Sequence, residues 1–152
     1  MQGKPLVILL VEDNPDHTEL ILRNFTEHRI ANNIIHVSDG QAALDYLFRR
    51  GPYLDPASSP RPSLVLLDLR LPKMDGLEVL KEIKASEQLS TIPVVILTTS
   101  SSEKDILAAY EYHVNSYLVK PVDFGKFTEL MDELGFYWLA WNKQPFSPPA
   151  DD

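Results

Sequence analysis

Short runs of apolar residues recur along the chain, and each interval between them is long enough for a connecting segment. The runs occupy residues 6–11, 34–37, 64–67, 93–97 and 116–119, and several are rich in branched side chains. Runs of this length and composition are typical of strands that are buried on both faces of a sheet. The pattern therefore predicts five strands.

The segments after these runs show apolar residues at helical spacing. A helix is expected from the Asn14–Pro15 pair, a good cap followed by a good first helical residue, to about residue 29. A second helix is expected over residues 42–50, after a Ser38–Asp39–Gly40 turn and before Gly51. Further helices are expected around residues 77–83, over 103–112 and from about 124. Their apolar faces carry, in chain order, Leu20, Ile21, Phe25, Leu77, Leu80, Ile83, Phe127, Leu130, Leu134 and Trp138.

Strands that alternate with helices form right-handed units around a parallel sheet. Five such units predict a doubly wound α/β fold, flavodoxin-like, with strand order 2-1-3-4-5. Ligands of such folds bind at the carboxyl ends of the strands, where the strand order reverses. We therefore expect the functional site at the edge of the sheet where the carboxyl ends of the strands lie.

Two segments do not fit the alternation. Residues 51–62 contain four prolines and are expected to form a surface loop without regular structure. Residues 143–152 contain three prolines and end in two aspartates, so we expect a disordered tail. A single domain is then expected over residues 1–142.

Composition narrows the classes of function. The chain has 152 residues and a formal net charge of −8, which argues against a nucleic-acid binder because such proteins carry a basic face. It has no cysteine, which excludes disulfides, thiolate metal sites and a thioether-linked chromophore. Its first apolar run is too short for a signal peptide or a membrane span. We expect a cytoplasmic protein with no membrane association.

Polar residues follow four of the predicted strands. Glu12 and Asp13 follow the first, Asp68 the third, Thr98 ends the fourth, and Lys120 follows the fifth. Crowded carboxylates raise one another's pKa, and a hard cation such as Mg²⁺ relieves the repulsion. Aspartate can also act as a nucleophile toward phosphorus. The set predicts phosphoryl chemistry at one edge of the sheet, although each residue alone would suit a helix cap or a surface charge.

At this point the sequence resembles the receiver domains of two-component response regulators. The matching segments are VEDNP at 11–15, LVLLDLRLPKMDG at 64–76, VVILTTS at 94–100 and YLVKP at 117–121. Their order and spacing match over nearly the whole chain. The resemblance implies a phosphoacceptor switch that undergoes Mg²⁺-dependent phosphorylation and slow autodephosphorylation, and is not otherwise an enzyme.

The resemblance also assigns roles to individual residues. Asp68 would accept a phosphoryl group from a histidine kinase. Asp13 would bind Mg²⁺ (or Mn²⁺ as a substitute) directly together with Asp68, Glu12 would act through a water, and the Arg70 carbonyl would complete the protein ligands. Lys120 would pair first with the carboxylate and then with the phosphoryl group.

Further roles concern the switch itself. Thr98 would close on a phosphoryl oxygen, the Thr99 amide would contact it, and Tyr117 would swing inward as Thr98 moves. The Lys120–Pro121 bond would be a cis peptide. Glu12 and Thr99 depart from the commonest residues of the family, which have Asp and a small side chain at these positions.

A narrower resemblance is to the small response regulators that partner bacterial phytochrome kinases. It is carried by the Pro-rich insert, by residues 67–84 and by the ending GFYWLAWN at 135–142. It implies a phytochrome-type sensor histidine kinase as partner. About ten residues follow the last predicted helix, too few for a DNA-binding output domain, so a partner or self-association is expected to read the phosphorylated state.

The last predicted helix carries Leu134, Tyr137, Trp138 and Trp141 on or beside one face. They could pack on the domain's own flank, or they could join Tyr110 in a homodimer interface, because interfaces favour Trp and Tyr. We predict a homodimer. The four histidines, in contrast, are scattered and are read as surface or cap residues: His17, His28, His36 and His113.

Other functions compatible with this fold are disfavoured by particular residues. An aspartate-based phosphohydrolase would need a second Asp two residues after Asp68, where this chain has Arg70. A non-phosphorylatable adaptor would not need the intact Asp68, Thr98 and Lys120. A flavin-binding flavodoxin would need a Ser/Thr-rich phosphate loop after the first strand, which is absent.

Overall fold

A computed structural model describes residues 7–27 and 33–120, together with residues 125, 126 and 129. Its strands are β1 (Val7–Val11), β2 (Asn33–Val37), β3 (Leu64–Leu67), β4 (Val94–Thr98) and β5 (Ser116–Val119). Its helices are α1 (Pro15–Glu27), α2 (Gly40–Leu47), α3 (Gly76–Ala85) and α4 (Glu103–Glu111). The predicted helix from about residue 124 lies largely outside the described residues, as does the predicted tail.

The described strands form one parallel sheet with the order β2-β1-β3-β4-β5. This confirms the predicted doubly wound architecture. The strand order reverses at β1, which pairs with β2 on one side and β3 on the other. The carboxyl ends of β1 and β3 therefore lie side by side where a site was expected.

Side chains that alternate along the strands fill two hydrophobic layers. One layer packs against α2, α3 and α4 and includes Leu9, Val11, Val65, Leu67 and Ile96. The other packs against α1 and includes Ile8, Leu10, Leu64, Leu66, Val95 and Leu97. Because both faces are covered, the strands need apolar residues at nearly every position, as the sequence shows.

Helix α1 begins as predicted but presents a different face to the core. The Asn14 side-chain oxygen accepts hydrogen bonds from the backbone N–H groups of Asp16 (2.9 Å) and His17 (3.1 Å). Ile21 and Phe25 are buried as expected, whereas the expectation for Leu20 is wrong, since it is 48% exposed. Thr18 is buried instead. It fits the apolar layer because its hydroxyl donates to the Asn14 carbonyl (3.0 Å).

Helix α2 and the Pro-rich segment differ from the prediction. The helix ends at Leu47, before the predicted residue 50, and Arg49 has the positive φ of 56° that turns the chain away from the helix axis. The segment is also not wholly irregular, because Gly51–Tyr53 forms a 3-10 turn, in which Pro52 needs no N–H partner. The Tyr46 hydroxyl then donates to the Pro60 carbonyl (2.6 Å) and ties the loop to α2.

Candidate phosphoryl-acceptor site

The polar residues that follow β1, β3 and β5 converge around one ammonium group. Lys120 Nζ donates to Glu12 Oε1, to Asp68 Oδ2 (3.1 Å) and to His17 Nδ1 (3.0 Å). The Lys120 side chain is 8% exposed, and those of Glu12 and Asp68 are 2% and 9% exposed. Parallel strand ends bring these residues together although 108 positions separate Glu12 from Lys120. The predicted meeting of Glu12, Asp68 and Lys120 is thus present in the structure.

Burial has an electrostatic cost at Glu12. Loss of solvent raises the pKa of the Glu12 carboxyl, although hydrogen bonds from Lys120 and from the Asn14 N–H act in the opposite direction. The negative charge of Asp68 raises it further. One ammonium therefore serves two buried carboxylates that repel each other.

The exposed residue Asp13 adds a third carboxylate. One oxygen from each of Glu12, Asp13 and Asp68 lies within 4.8 Å of the others, so these three residues could hold a metal ion. With Lys120 alone as counter-charge, the cluster keeps an excess of two negative charges. All-oxygen donors with excess negative charge suit a hard divalent cation such as Mg²⁺ or Mn²⁺.

The loop after β3 holds the second oxygen of Asp68. The Arg70 backbone N–H donates to Asp68 Oδ1 (3.2 Å), while Lys120 binds Oδ2. This fixes the orientation of the carboxylate at the strand end. The use of the Arg70 carbonyl as a metal ligand stays a prediction.

The predicted switch residues lie on or directly after β4 and β5, the two strands that follow β3 across the sheet. Thr98 ends β4 and is fully buried, and its hydroxyl oxygen accepts from the Ser100 N–H (3.4 Å). Thr99 is exposed. Tyr117 on β5 is half-buried, and its hydroxyl donates to the Ser100 carbonyl (2.8 Å). Burial raises the pKa of the Tyr117 hydroxyl.

One histidine contacts the buried charges of the site, contrary to the reading of all four as surface or cap residues. His17 accepts from Lys120, as described above. His36 is exposed, in agreement with the expectation, and its Nε2–H donates to the Glu12 backbone carbonyl (2.8 Å). The position of His17, in the first turn of the helix that follows the acidic pair, was the signal that could have identified it. His113 is exposed, in agreement with the expectation, and His28 lies outside the described residues.

Sequence reasoning also missed an acidic residue on α4. Asp105 accepts hydrogen bonds from the Arg70 guanidinium (2.5 Å) and the Ser100 hydroxyl (2.6 Å). Its position within the first turn of α4 gave only a signal for helix capping.

The remaining predicted residues concern the interface and the cis peptide bond. Tyr110 on α4 is 48% exposed and Leu107 is 62% exposed, so apolar area faces solvent there. The other predicted residues lie outside the described part of the chain: Pro121, Tyr137, Trp138 and Trp141. No helix within the described part has the length and apolar character needed to cross a membrane.

Comparison with known protein families gives a match over most of the chain. Residues 8–132 match the response regulator receiver domain. FilR2 of Methanothrix harundinacea, a probable methanogenesis regulatory protein, is 50% identical over 141 residues, which cover 93% of this chain and 88% of FilR2. The response regulator Rcp1 of a Synechocystis species is 44% identical over 135 residues, covering 89% of this chain and 90% of Rcp1.

Solved structures agree with this match. The bacteriophytochrome response regulator RtBRR superposes with a TM-score of 0.79 at 43% identity, over 94% of this chain and 86% of its own. The Mn²⁺-bound form of Rcp1 gives a TM-score of 0.73 at 43% identity, over 93% and 99%. The phosphorylated cyanobacterial phytochrome response regulator RcpA gives 0.70 at 38% identity, over 90% and 95%.

Proposed function

Because the chain belongs to the response regulator receiver domain family and is related to phytochrome response regulators, we propose that it is a phosphoacceptor switch. It takes a phosphoryl group from a sensor histidine kinase onto Asp68. The observation that carries this proposal is the placement of the Asp68 carboxylate, which is held at both oxygens and lies beside a buried ammonium.

The chemistry proposed for Asp68 is nucleophilic displacement. A carboxylate oxygen of Asp68 attacks the phosphorus of the donor phosphohistidine, the phosphorus–nitrogen bond breaks, and the leaving imidazole takes up a proton. The product is an acyl phosphate. Lys120, which already contacts Oδ2, then pairs with a phosphoryl oxygen. Such a transfer depends mainly on positioning and on neutralising the charge of the phosphoryl oxygens.

The acidic cluster supports Mg²⁺ as the cofactor, with Mn²⁺ as a substitute. Asp13 and Asp68 would hold the ion directly, Glu12 would act through a water, and the Arg70 carbonyl would complete the protein ligands. A bound divalent cation would neutralise negative charge on the transferring phosphoryl group. The Mn²⁺-bound structure of the relative Rcp1 supports this assignment.

In the proposed switch, the charge added at Asp68 changes the positions of residues on and after β4 and β5. Phosphorylation adds about −1.5 to −2 charges at Asp68. Thr98 would close on a phosphoryl oxygen, and the backbone N–H of Thr99 would contact it. Because the Tyr117 hydroxyl bonds to the Ser100 carbonyl, a shift of this loop would change the contacts of Tyr117.

A phytochrome-type kinase is the proposed donor, and a second copy of the chain is the proposed reader of the signal. The names of RtBRR and RcpA support a phytochrome donor, whereas FilR2 is named for methanogenesis, so the donor is to be tested with purified kinases. The exposed Leu107 and Tyr110 support a homodimer through α4. A monomeric mass by light scattering, with and without phosphorylation, would exclude the dimer.

Self-phosphorylation and slow autodephosphorylation are the only reactions proposed. A hydrolase of the aspartate class would need an acid two residues after the nucleophile, but Arg70 occupies that position and its guanidinium binds Asp105.

The test is incubation with acetyl phosphate and Mg²⁺, followed by measurement of intact mass. We expect the wild type to gain one phosphoryl group and Asp68→Asn to gain none, while chelation of Mg²⁺ prevents the gain. Labelling of Asp68→Asn would refute the assignment of the acceptor, and failure of the wild type to label from either acetyl phosphate or a histidine kinase would refute the function. An unchanged unfolding midpoint would show that Asp68→Asn is folded.

A further inference from the structure

An ion pair joins the loop that follows the proposed acceptor to α4. The Arg70 guanidinium extends from the loop after β3 to α4, where it donates to Asp105 Oδ2 at 2.5 Å. The Asp105 side chain is 12% exposed, and the Arg70 side chain is 58% exposed. Contact between a charged donor and a largely buried carboxylate is stronger than an ordinary surface pair. The pair therefore ties the acceptor loop to α4.

The same carboxylate oxygen holds a second loop. The Ser100 hydroxyl donates to Asp105 Oδ2 at 2.6 Å, so Arg70 and Ser100 share one acceptor atom. The start of α4 fixes Asp105, because its backbone N–H donates to the Ser102 hydroxyl (3.4 Å). We call Asp105, Arg70 and Ser100 the Asp105 cluster.

The Asp105 cluster connects directly to the switch residues. The Ser100 N–H donates to the Thr98 hydroxyl oxygen (3.4 Å), and the Ser100 carbonyl accepts from the Tyr117 hydroxyl (2.8 Å). Movement of Thr98 toward Asp68 would pull on Ser100, two residues later, and hence on its bond to Asp105. The Asp105 cluster therefore restrains Thr98 and Tyr117, the two residues that the proposed switching would move.

Resting on the proposed function, we propose that Asp105 is a positioning residue that stabilises the unphosphorylated arrangement. A phosphoryl group on Asp68 would compete with Asp105 for the Arg70 guanidinium, because the backbone N–H of Arg70 contacts Asp68, which places Arg70 next to the acceptor, and guanidinium groups bind phosphoryl oxygens well. Closure of Thr98 would compete with Asp105 for Ser100. The carboxylate of Asp105 thus sets how readily the chain enters its phosphorylated conformation.

This role predicts the direction in which a change at Asp105 shifts the equilibrium between the unphosphorylated and phosphorylated conformations. A contact present in only one of two states shifts the equilibrium by its own free energy. Weakening the contact should therefore favour the phosphorylated state. An Asp105→Asn variant keeps the shape and the capping position but removes the charge that binds Arg70.

The test measures binding of beryllofluoride, a phosphoryl analogue, in the presence of Mg²⁺ by isothermal titration calorimetry. We expect Asp105→Asn to bind about threefold to tenfold more tightly than the wild type, in line with the strength of a partly buried charged pair. In an Arg70→Ala background the effect of Asp105→Asn should be smaller, because one of its two partners is gone. A purely structural role of Asp105 would instead weaken binding.

The matched control is Asp45→Asn, which breaks the pair between Asp45 on α2 and Arg50, three residues after the end of α2, where the Arg50 side chain has a similar exposure of 54%. It should leave beryllofluoride affinity unchanged. Equal or weaker binding by a folded Asp105→Asn variant would overturn the role of Asp105 alone. Absence of binding by the wild type would overturn the proposed function and this inference together. The unfolding midpoint of each variant establishes that it is folded.

Discussion

The Lys120 ammonium lies 3.1 Å from Asp68 Oδ2, although 52 residues separate the two along the chain. The same ammonium also contacts Glu12, so one buried cation pairs with two buried carboxylates and offsets only part of their charge. On the proposed function, Lys120 would pair with the Asp68 carboxylate before phosphoryl transfer and with a phosphoryl oxygen after it. The shared pairing makes the site sensitive to any change in local charge.

Lys120→Ala should block switching more than folding. Removing one partner from a buried charge pair costs about 3 kcal/mol, because the remaining carboxylates repel each other. Added Mg²⁺ should recover part of this loss, since on the proposed function a divalent cation would bind the same carboxylates. Unfolding in denaturant with and without Mg²⁺ measures the stability, and light scattering after phosphorylation measures the switch. A normal phosphorylation-linked shift in mass would reject the role of Lys120; the exposed Lys81→Ala is the control.

Asp13→Asn should weaken binding of Mg²⁺. The exposed carboxylate of Asp13 belongs to the three-residue acidic cluster, and its loss removes both a ligand and a negative charge. We expect a decrease in affinity of about tenfold or more. Calorimetric titration with Mg²⁺ measures it, and Asp16→Asn, an exposed acid in the first turn of α1, serves as the matched control. An unchanged titration for Asp13→Asn would count against this residue as a ligand.

Gly76→Ala should damage the acceptor site through the backbone. A Cβ atom at Gly76 would lie 2.2 Å from the Asp68 carbonyl oxygen and 2.7 Å from the Leu69 Cα atom. Both are backbone atoms, so relief requires a shift of the strand end that carries Asp68. We expect a loss of about 1–3 kcal/mol in stability and slower labelling by acetyl phosphate.

Gly51→Ala provides the comparison for Gly76→Ala. It adds the same methyl group where no atom lies within 4 Å, but at a φ of 60° that strains any other residue. It should cost about 1 kcal/mol of stability and leave labelling unchanged. Equal labelling rates for both variants would show that close approach at Gly76 does not position Asp68.

Tyr46→Phe should remove a hydrogen bond and also one contribution to the pH dependence of the free energy of unfolding. Burial raises the pKa of the Tyr46 hydroxyl above its ordinary value of 10.0. Above pH 10 the unfolded chain therefore loses this proton before the folded chain does, and the free energy of unfolding falls as pH rises. This contribution of Tyr46 is present in full below its ordinary pKa.

Denaturant unfolding near pH 7 and above pH 10 measures both effects of Tyr46→Phe. At neutral pH we expect a loss of about 1–2 kcal/mol, because the Pro60 carbonyl loses its donor. Above pH 10 the difference from wild type should shrink. The exposed Tyr110→Phe should behave like the wild type at both values. A difference for Tyr46→Phe that does not change with pH would contradict the predicted titration.

The fold and the meeting of the charged residues at the strand ends could be predicted because their signals are local or follow from topology. The apolar runs predicted each strand to within about a residue, since strands buried on both faces need apolar side chains throughout. Once the sheet is parallel, residues at the ends of its strands must share one edge. Glu12, Asp68 and Lys120 therefore meet as expected.

Other features depended on packing angles that no local pattern encodes. Leu20 is exposed and Thr18 is buried, because the packing of α1 on the sheet decides which face is buried, and Thr18 tolerates burial since its hydroxyl donates to the Asn14 carbonyl. Arg49 ends α2 earlier than the predicted end, because its positive φ is set by the turn that follows.

By itself, the sequence determined the α/β architecture and which charged residues lie at the sheet edge, because hydrophobic periodicity and strand ends are properties of neighbouring residues. Tertiary structure alone decided that His17 contacts Lys120 across 103 positions and that Asp105 binds Arg70 across 35. These contacts join side chains from separate elements, and a charged residue has the same appearance in a sequence whether it faces water or a partner. The physical reason is that short-range hydrogen bonds depend on side-chain positions within less than an ångström or so, which only the packed helices and loops define.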